Sequence, residues 1–310
     1  MPETLQKLTD LYDRRNVSGV KPSAKSLILD LLQSLRGRSL PVRALVVAGD
    51  LFGLEENGVR VALARLLARG LVDRDGPGRY RLAAGAQPVS RRVGGWPSAD
   101  TRALRWSGDW TGVFVHGLAR SDRPGRRRDA RALAFLGFAE LDPGFFIRPD
   151  NLRGGVARTR QDLHELGLDP AARVLAASQL EEKSETRARR LWDSAALVRA
   201  HREAREEIER SSARLPRLRR EAAMVETFLV GGRAIRQIAL DPCLPEAIAP
   251  ETERRALVAA MREYDRAGRA HWSEFMRAND APHRSAPANL AGLSGEARAA
   301  ALGSPTRSMT

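Results

Sequence analysis

Residues 42–82, VRALVVAGDLFGLEENGVRVALARLLARGLVDRDGPGRYRL, decide the fold of the first part of this 310-residue chain. They read as a helix, a tight turn, a second helix and a two-stranded hairpin. The first helix covers roughly 41–52. Pro41 suits an opening turn whose N–H groups lack intrahelical partners, and Leu45, Val46, Ala48, Leu51 and Phe52 supply one broad apolar face. Gly53 follows where a helix end favours positive φ. The second helix, 55–69, opens with Glu55-Glu56-Asn57, whose carboxylates complement the positive end of the helix dipole.

In that second helix Val59, Leu63, Leu66 and Leu67 recur at i, i+4, i+7 and i+8 and form a core stripe. The opposite face carries Asn57, Val61, Ala64, Arg65 and Ala68, with Arg60 on its flank. Small side chains there let a helix backbone sink into a groove about 12 Å wide, where arginine reaches guanine edges and asparagine reaches adenine. Gly70 ends the helix. Residues 71–74 and 79–82 then read as strands joined by Asp75-Gly76-Pro77-Gly78, a turn-forming run. The hairpin brings Arg74, Arg79 and Arg81 beside the groove, as phosphate contacts. The pattern predicts a winged helix-turn-helix over 20–90 with double-stranded DNA as partner. The alternative is a protein-docking unit whose basic helix face is merely solvated.

A net charge of +14 and a pI near 11.1 favour an anionic partner, although the basic residues are spread along the whole chain. Cys243 is the only cysteine, so no internal disulfide forms; this predicts a cytoplasmic protein and a structural role for that thiol. No apolar run of about 18 residues is present for a membrane span, and the start, MPETLQKLTD, lacks the order of a secretory signal.

Taken in order, residues 1–20 are polar and predicted to be poorly ordered. Residues 23–35 form a helix capped by Ser23, with Leu27, Leu31 and Leu35 on one stripe. Residues 83–95 read as a small, polar connector that can lie along phosphates. A middle domain, 104–182, shows strands near 109–117, 144–149 and 173–180, with helices over 122–136 and 156–167. This order suggests a ferredoxin-like α/β domain. Arg123, Arg126, Arg127, Arg128 and Arg131 form either a DNA-proximal patch or a solvated face.

A helical C-terminal domain, 183–278, follows as an effector and dimerisation unit. One helix covers 184–210, and Leu215-Pro216 breaks the pattern. A buried helix over 219–236 is interrupted at Gly231-Gly232, residues 241–250 are a proline-punctuated loop, and a helix pair over 253–275 joins around Gly268. The tail, 279–310, is predicted to be disordered. The fold class is α+β.

Catalytic motifs are absent: there is no HExxH, paired CxxC or Walker A, and no GxGxxG opening a βαβ unit. His116, His164, His201, His271 and His283 lack ligand spacing. The reading is therefore of a non-enzyme without cofactor or metal. A metal-dependent nucleic-acid enzyme on the middle domain is the rival, with Asp109 and Asp122 as its few carboxylates.

Several segments resemble the PaaX-type repressors of phenylacetate degradation: FGLEENGVRVALARLLARGLV at 52–72, GPGRYRL at 76–82, Trp106 to Gly108 with DWTGVFV after it, LGFAELDPGFFIRPDN at 136–151, FLVGGRAIRQIALDPCLPE at 228–246 and YDRAGRAHW at 264–272. The resemblance implies a bacterial one-component transcriptional regulator, usually a repressor, acting as a dimer on a palindromic operator. It also implies a middle domain similar to the small ferredoxin-like nuclease of CRISPR adaptation, without its activity. Phenylacetyl-CoA, the best-known effector, releases such proteins from DNA. At Glu55 the family often has Ser, a better helix cap. The reading is thus of a homodimeric repressor of an aromatic-acid catabolic operon, released by an acyl-CoA or aromatic effector bound between the middle and C-terminal domains. Arg187, Arg190, Arg233 and Arg236 are its candidate effector contacts, with structural ion pairing as their alternative role.

Overall fold

In the computed structural model, residues 22–35, 37–115 and 123–281 are described. The expectations for residues 1–20, for His116, Asp122 and His283, and for the tail from 282 onward fall outside them.

Ser23 caps the first helix, α1 (Ala24–Ser34), its Oγ accepting the Ser26 N–H at 3.2 Å. Leu27, Ile28, Leu31 and Leu32 are buried along it. A short strand, β1 (Leu40–Pro41), leads into α2 (Val42–Leu51), so Pro41 caps the helix from outside and pairs with Arg79. α2 closes on Gly53, at φ 69°, which donates to Asp50 O while Leu54 donates to Gly49 O. These two bonds satisfy carbonyls that a helix end leaves open. α3 (Glu56–Ala68) ends the same way, Gly70 donating to Leu67 and Leu71 to Leu66.

Gly49 marks the close approach of α2 and α3, since a Cβ there would stand 2.6 Å from Val59 Cγ2. β2 (Val72–Arg74) and β3 (Arg79–Leu82) then form the hairpin, giving an antiparallel sheet in the order β1-β3-β2. Its loop is anchored: Gly78 O accepts the Val42 N–H at 2.8 Å, a donor that α2 itself cannot satisfy.

The stretch read as a connector folds instead. A 3-10 turn at Ala84–Ala86 runs into α4 (Gln87–Gly94), whose Val89 and Val93 are buried against Leu133, Leu163 and Ala239. Arg91 pairs with Glu165 at 2.5 Å, and Arg92 turns inward. One apolar pair a helical turn apart is enough to dock so short a helix, and it was hidden among small residues.

The middle of the chain runs β4 (Trp110–Phe114), α5 (Arg123–Phe135), β5 (Ala139–Asp142), β6 (Phe145–Pro149), α6 (Gly155–Glu165) and β7 (Arg173–Ala177). The sheet order is β5-β6-β4-β7, antiparallel throughout. β5 was not expected; it is four residues long and pairs irregularly with β6 between Glu140 and Asp142. Alternation divides the strands between two faces. Val113 and Val174 pack with Leu133 and Leu163 of the two helices, while Trp110 and Ile147 pack with Ala188, Leu191 and Trp192.

The remaining helices are α7 (Glu182–Arg189), α8 (Ser194–Arg214), α9 (Arg220–Leu240) and α10 (Thr252–Ala278). The single helix expected over 184–210 is two, because Asp193 caps α8 by accepting the Ala196 N–H at 2.8 Å. Conversely, the breaks expected at Gly231-Gly232 and at Gly268 do not occur. A Cβ on Gly231 would meet Met261 Cε at 3.3 Å, and one on Gly268 would meet Thr227 Cβ at 3.2 Å. Both glycines sit where α9 and α10 press together, so they serve close packing rather than chain reversal.

The fold is thus mixed α and β, mainly helical, with two small antiparallel sheets. Its first core is shared: Met224, Phe275, Met276 and Ala281 are buried in the same cluster as Leu45 and Leu63. Phe52 meets Phe228 edge-on with centroids 5.1 Å apart, and Arg43 donates to Ala278 O at 3.3 Å. Residues 279–281, expected in the tail, therefore belong to this joint. Among the described residues, no helix is long and apolar enough to cross a membrane.

Candidate nucleic-acid interface

α3 buries Val59, Leu63 and Leu66 and turns its other side to solvent. Asn57, Gly58, Arg60, Val61, Ala64, Arg65, Ala68 and Arg69 are all exposed. Val61, at 40% exposure, is one of the few large apolar side chains left open. The outward arginines are not equivalent. Arg60 is held by Glu56 one turn earlier, with Nε and Nη2 both 2.7 Å from Oε1. Arg65 and Arg69 are exposed at the other end of the helix and make no side-chain ion pair among the described residues. Arg69 escaped the sequence reading because it lies at the helix end, where its direction depends on the cap. Glu55 occupies the cap position without a side-chain bond to the helix.

In the hairpin, Arg74 is exposed and Arg81 is exposed with Asp75 3.5 Å away, a loose surface pair. Arg79 departs from expectation. Its side chain is 29% exposed, Nε donates to Ser39 Oγ at 3.2 Å, Nη2 to Ser39 O at 3.2 Å and Nη1 to Asp280 O at 3.3 Å. It joins the hairpin to the end of α10 rather than standing open for a phosphate. Register explains this: Arg79 pairs with Pro41 next to α2, while Arg81 pairs with Asp73 on the outer strand.

The four effector candidates lie on two different sets of partners. Arg187 pairs with Asp142 at 2.6 Å and Arg190 is exposed at the end of α7. Arg233 pairs with Glu207 of α8 through Nε and Nη2, and Arg236 is half-buried on the same helix. For Arg187 and Arg233 the structure thus displays ion pairs. A cleft of about 420 Å³ opens at the joint of α2 and α9, lined by Asp50, Leu51, Glu221, Ala222, Val225 and Glu226. Its carboxylates give it the wrong sign for an anionic effector.

Deeper in, His201 Nε2 stands 2.7 Å from Asp241 Oδ2, and Arg254 Nη1 lies 3.5 Å from Oδ1. Burial on its own raises a carboxyl, but the adjacent His201 ring, the charge of Arg254 and the Cys243 N–H hold Asp241 below its ordinary value. Burial, then the adjacent Asp241, pushes the Cys243 thiol up, consistent with a structural cysteine. Among the described residues, no three His, Cys, Asp or Glu side chains group as a metal site.

Residues 23–86 match the family model described as PaaX-like protein, which bears out the resemblance over α1 to α3 and the hairpin. No curated protein matches the chain. Among solved structures, the chain is similar to "Uncharacterized protein Rv0674 from Mycobacterium tuberculosis", at 23% identity and a TM-score of 0.54, over 82% of this chain and 99% of that one. The likeness concerns the fold.

Proposed function

Starting from a PaaX-like N-terminal unit, we propose that this protein is a DNA-binding transcriptional regulator whose winged helix-turn-helix places α3 in the major groove. The observation that carries the reading is the free outer face of α3, small at Ala64 and Ala68, apolar at Val61 and basic at Arg65 and Arg69, with Arg74 and Arg81 beside it. A helix so presented fits a groove about 12 Å wide, and flanking arginines on the hairpin supply salt-dependent phosphate contacts. Arg60 is pre-positioned by Glu56 and reaches a base only after leaving that carboxylate. Arg65 is the principal base-reading candidate and Asn57 its companion.

In this reading the β4-α5-β5-β6-α6-β7 unit is a ferredoxin-like domain, and the whole is a homodimeric repressor that an acyl-CoA or aromatic effector releases from a two-fold operator. Support for the repressor and effector parts is the PaaX-like resemblance. The shared core of α2, α3, α9 and α10 supports coupling, because a rearrangement of α9 and α10 moves α3 with it. A mobility-shift assay against the duplex upstream of the protein's own reading frame, at fixed salt and with random competitor, tests the function. Retention of that fragment over competitor supports it, and equal displacement of both refutes it.

A further inference from the structure

Arg92 is a buried cation with an empty binding edge. It projects from α4, and its Nε and Nη2 are both shut off from solvent with no hydrogen-bond partner. Those two nitrogens form the side-on fork of a guanidinium, which matches the paired oxygens of a carboxylate or a phosphate. The Phe135 ring backs the cation, with 5.8 Å from Cζ to the ring centroid. Burying a charge without a partner is strongly unfavourable, so such a group calls for a counter-charge.

The surroundings do not provide one. Arg102, whose Nη2 lies 3.4 Å from Gly95 O at the end of α4, adds a second positive charge. The acidic groups near enough to act on Arg92 are Cys243, whose thiol is pushed further from ionising by burial, then Asp162 and Asp241. Asp162 is taken by Arg158 at 2.9 Å, and Asp241 by His201 and Arg254. Burial, then Arg102, pushes the Arg92 guanidinium down to about 10, which leaves it charged at neutral pH. Arg148, fully buried where Arg92 as a whole is half-buried, shows what a purely structural arginine looks like here. It donates to Leu136 O, Pro149 O, Pro242 O and Asn151 Oδ1, so each of its three nitrogens has a partner.

We propose that the Nε/Nη2 edge of Arg92 is the receiving end of an oxyanion site, taking a carboxylate or phosphate group where α4 meets the end of α5 and the 241–243 loop. α4 connects the hairpin to the middle domain, so an anion seated there bears on the segment through which the N-terminal unit is joined in sequence. The site stands independently of the DNA reading, and its test contains no DNA.

The test is the melting midpoint of the full chain at constant ionic strength, with chloride exchanged for inorganic phosphate in one arm and for acetate in another. Constant ionic strength is needed because a chain of net charge +14 gains stability from any anion. The expected result is a saturable rise in at least one arm for the wild type, lost in Arg92→Met and kept in Arg91→Met, whose target is exposed and paired with Glu165. The responding arm identifies the preferred group. No rise over chloride in either arm, or an equal rise in Arg92→Met, overturns the proposal. Should Arg92→Met fail to fold, the arginine Nε–H resonance of the wild type, assigned by its loss in Arg92→Lys, decides. It moves during the titration if the site exists and stays fixed in both arms if it does not.

Discussion

Alanine substitutions at three glycines in α9 and α10 separate helix propensity from helix crossing. At Gly232 an added Cβ meets nothing within 4 Å, so alanine gains about 1 kcal/mol of helix propensity with no opposing contact. At Gly231 the same gain is set against Met261 Cε at 3.3 Å, the end of an adaptable side chain that swings aside; the net is about 0–1 kcal/mol of stabilisation. Gly268 is different. Its Cβ would stand 3.2 Å from Thr227 Cβ, a stiff β-branched centre whose Oγ1 donates to Ala223 O at 2.7 Å. Overpacking costs about 1–3 kcal/mol, leaving a net loss of about 0–2 kcal/mol once propensity is credited. Urea unfolding midpoints, compared at equal m-values, read the differences. The expected order of stability is Gly232→Ala, then Gly231→Ala, then wild type, then Gly268→Ala. A Gly268→Ala protein as stable as Gly232→Ala refutes the close crossing, and a destabilised Gly232→Ala refutes an unbroken α9.

Two further outcomes follow from the joint and the buried network. Phe228→Ala removes the half-buried ring between Phe52 and Trp272 and is expected to cost about 1.5–3 kcal/mol. It also speeds amide exchange in α2 and α3, whereas exchange unchanged in those helices contradicts the shared core. Asp241→Asn leaves Arg254 with Glu251, 3.2 Å away, as its remaining carboxylate and is expected to cost about 1–3 kcal/mol at neutral pH. The folded-state value of Asp241 lies below its unfolded value of about 3.9. Its contribution is therefore complete above that value and lost as pH falls through the folded one. Urea midpoints across pH are expected to show the gap between wild type and variant narrowing below about pH 4; a gap that stays constant there counts against the network.

Local chemistry made the N-terminal unit legible. Gly53 and Gly70 close their helices through backbone bonds that need only residues nearby, and Asp75 to Gly78 turns the hairpin on its own terms. Long-range packing misled the reading elsewhere. Gly231 and Gly268 look like breaks until the partner helix is present, and β5 gains strand geometry only from β6. The same limit applied to the candidate arginines. Arg65 stands open as its helix position implies, but Arg79 is claimed by Ser39 and by Asp280, some two hundred residues away. Arg92, in a stretch that read as linker, carries a buried fork without a partner that the candidates missed.

The central claim is that α3 reads duplex DNA through Arg65. Fluorescence anisotropy with a labelled duplex containing the preferred upstream site, at fixed salt, compares wild type with Arg65→Ala, and a random duplex of equal length serves as reference. The account predicts a loss of about 1–3 kcal/mol on the preferred site, roughly 5- to 150-fold in Kd, with much less change on random DNA. Equal affinity of the two proteins for the preferred site, or an equal loss on both duplexes, contradicts it.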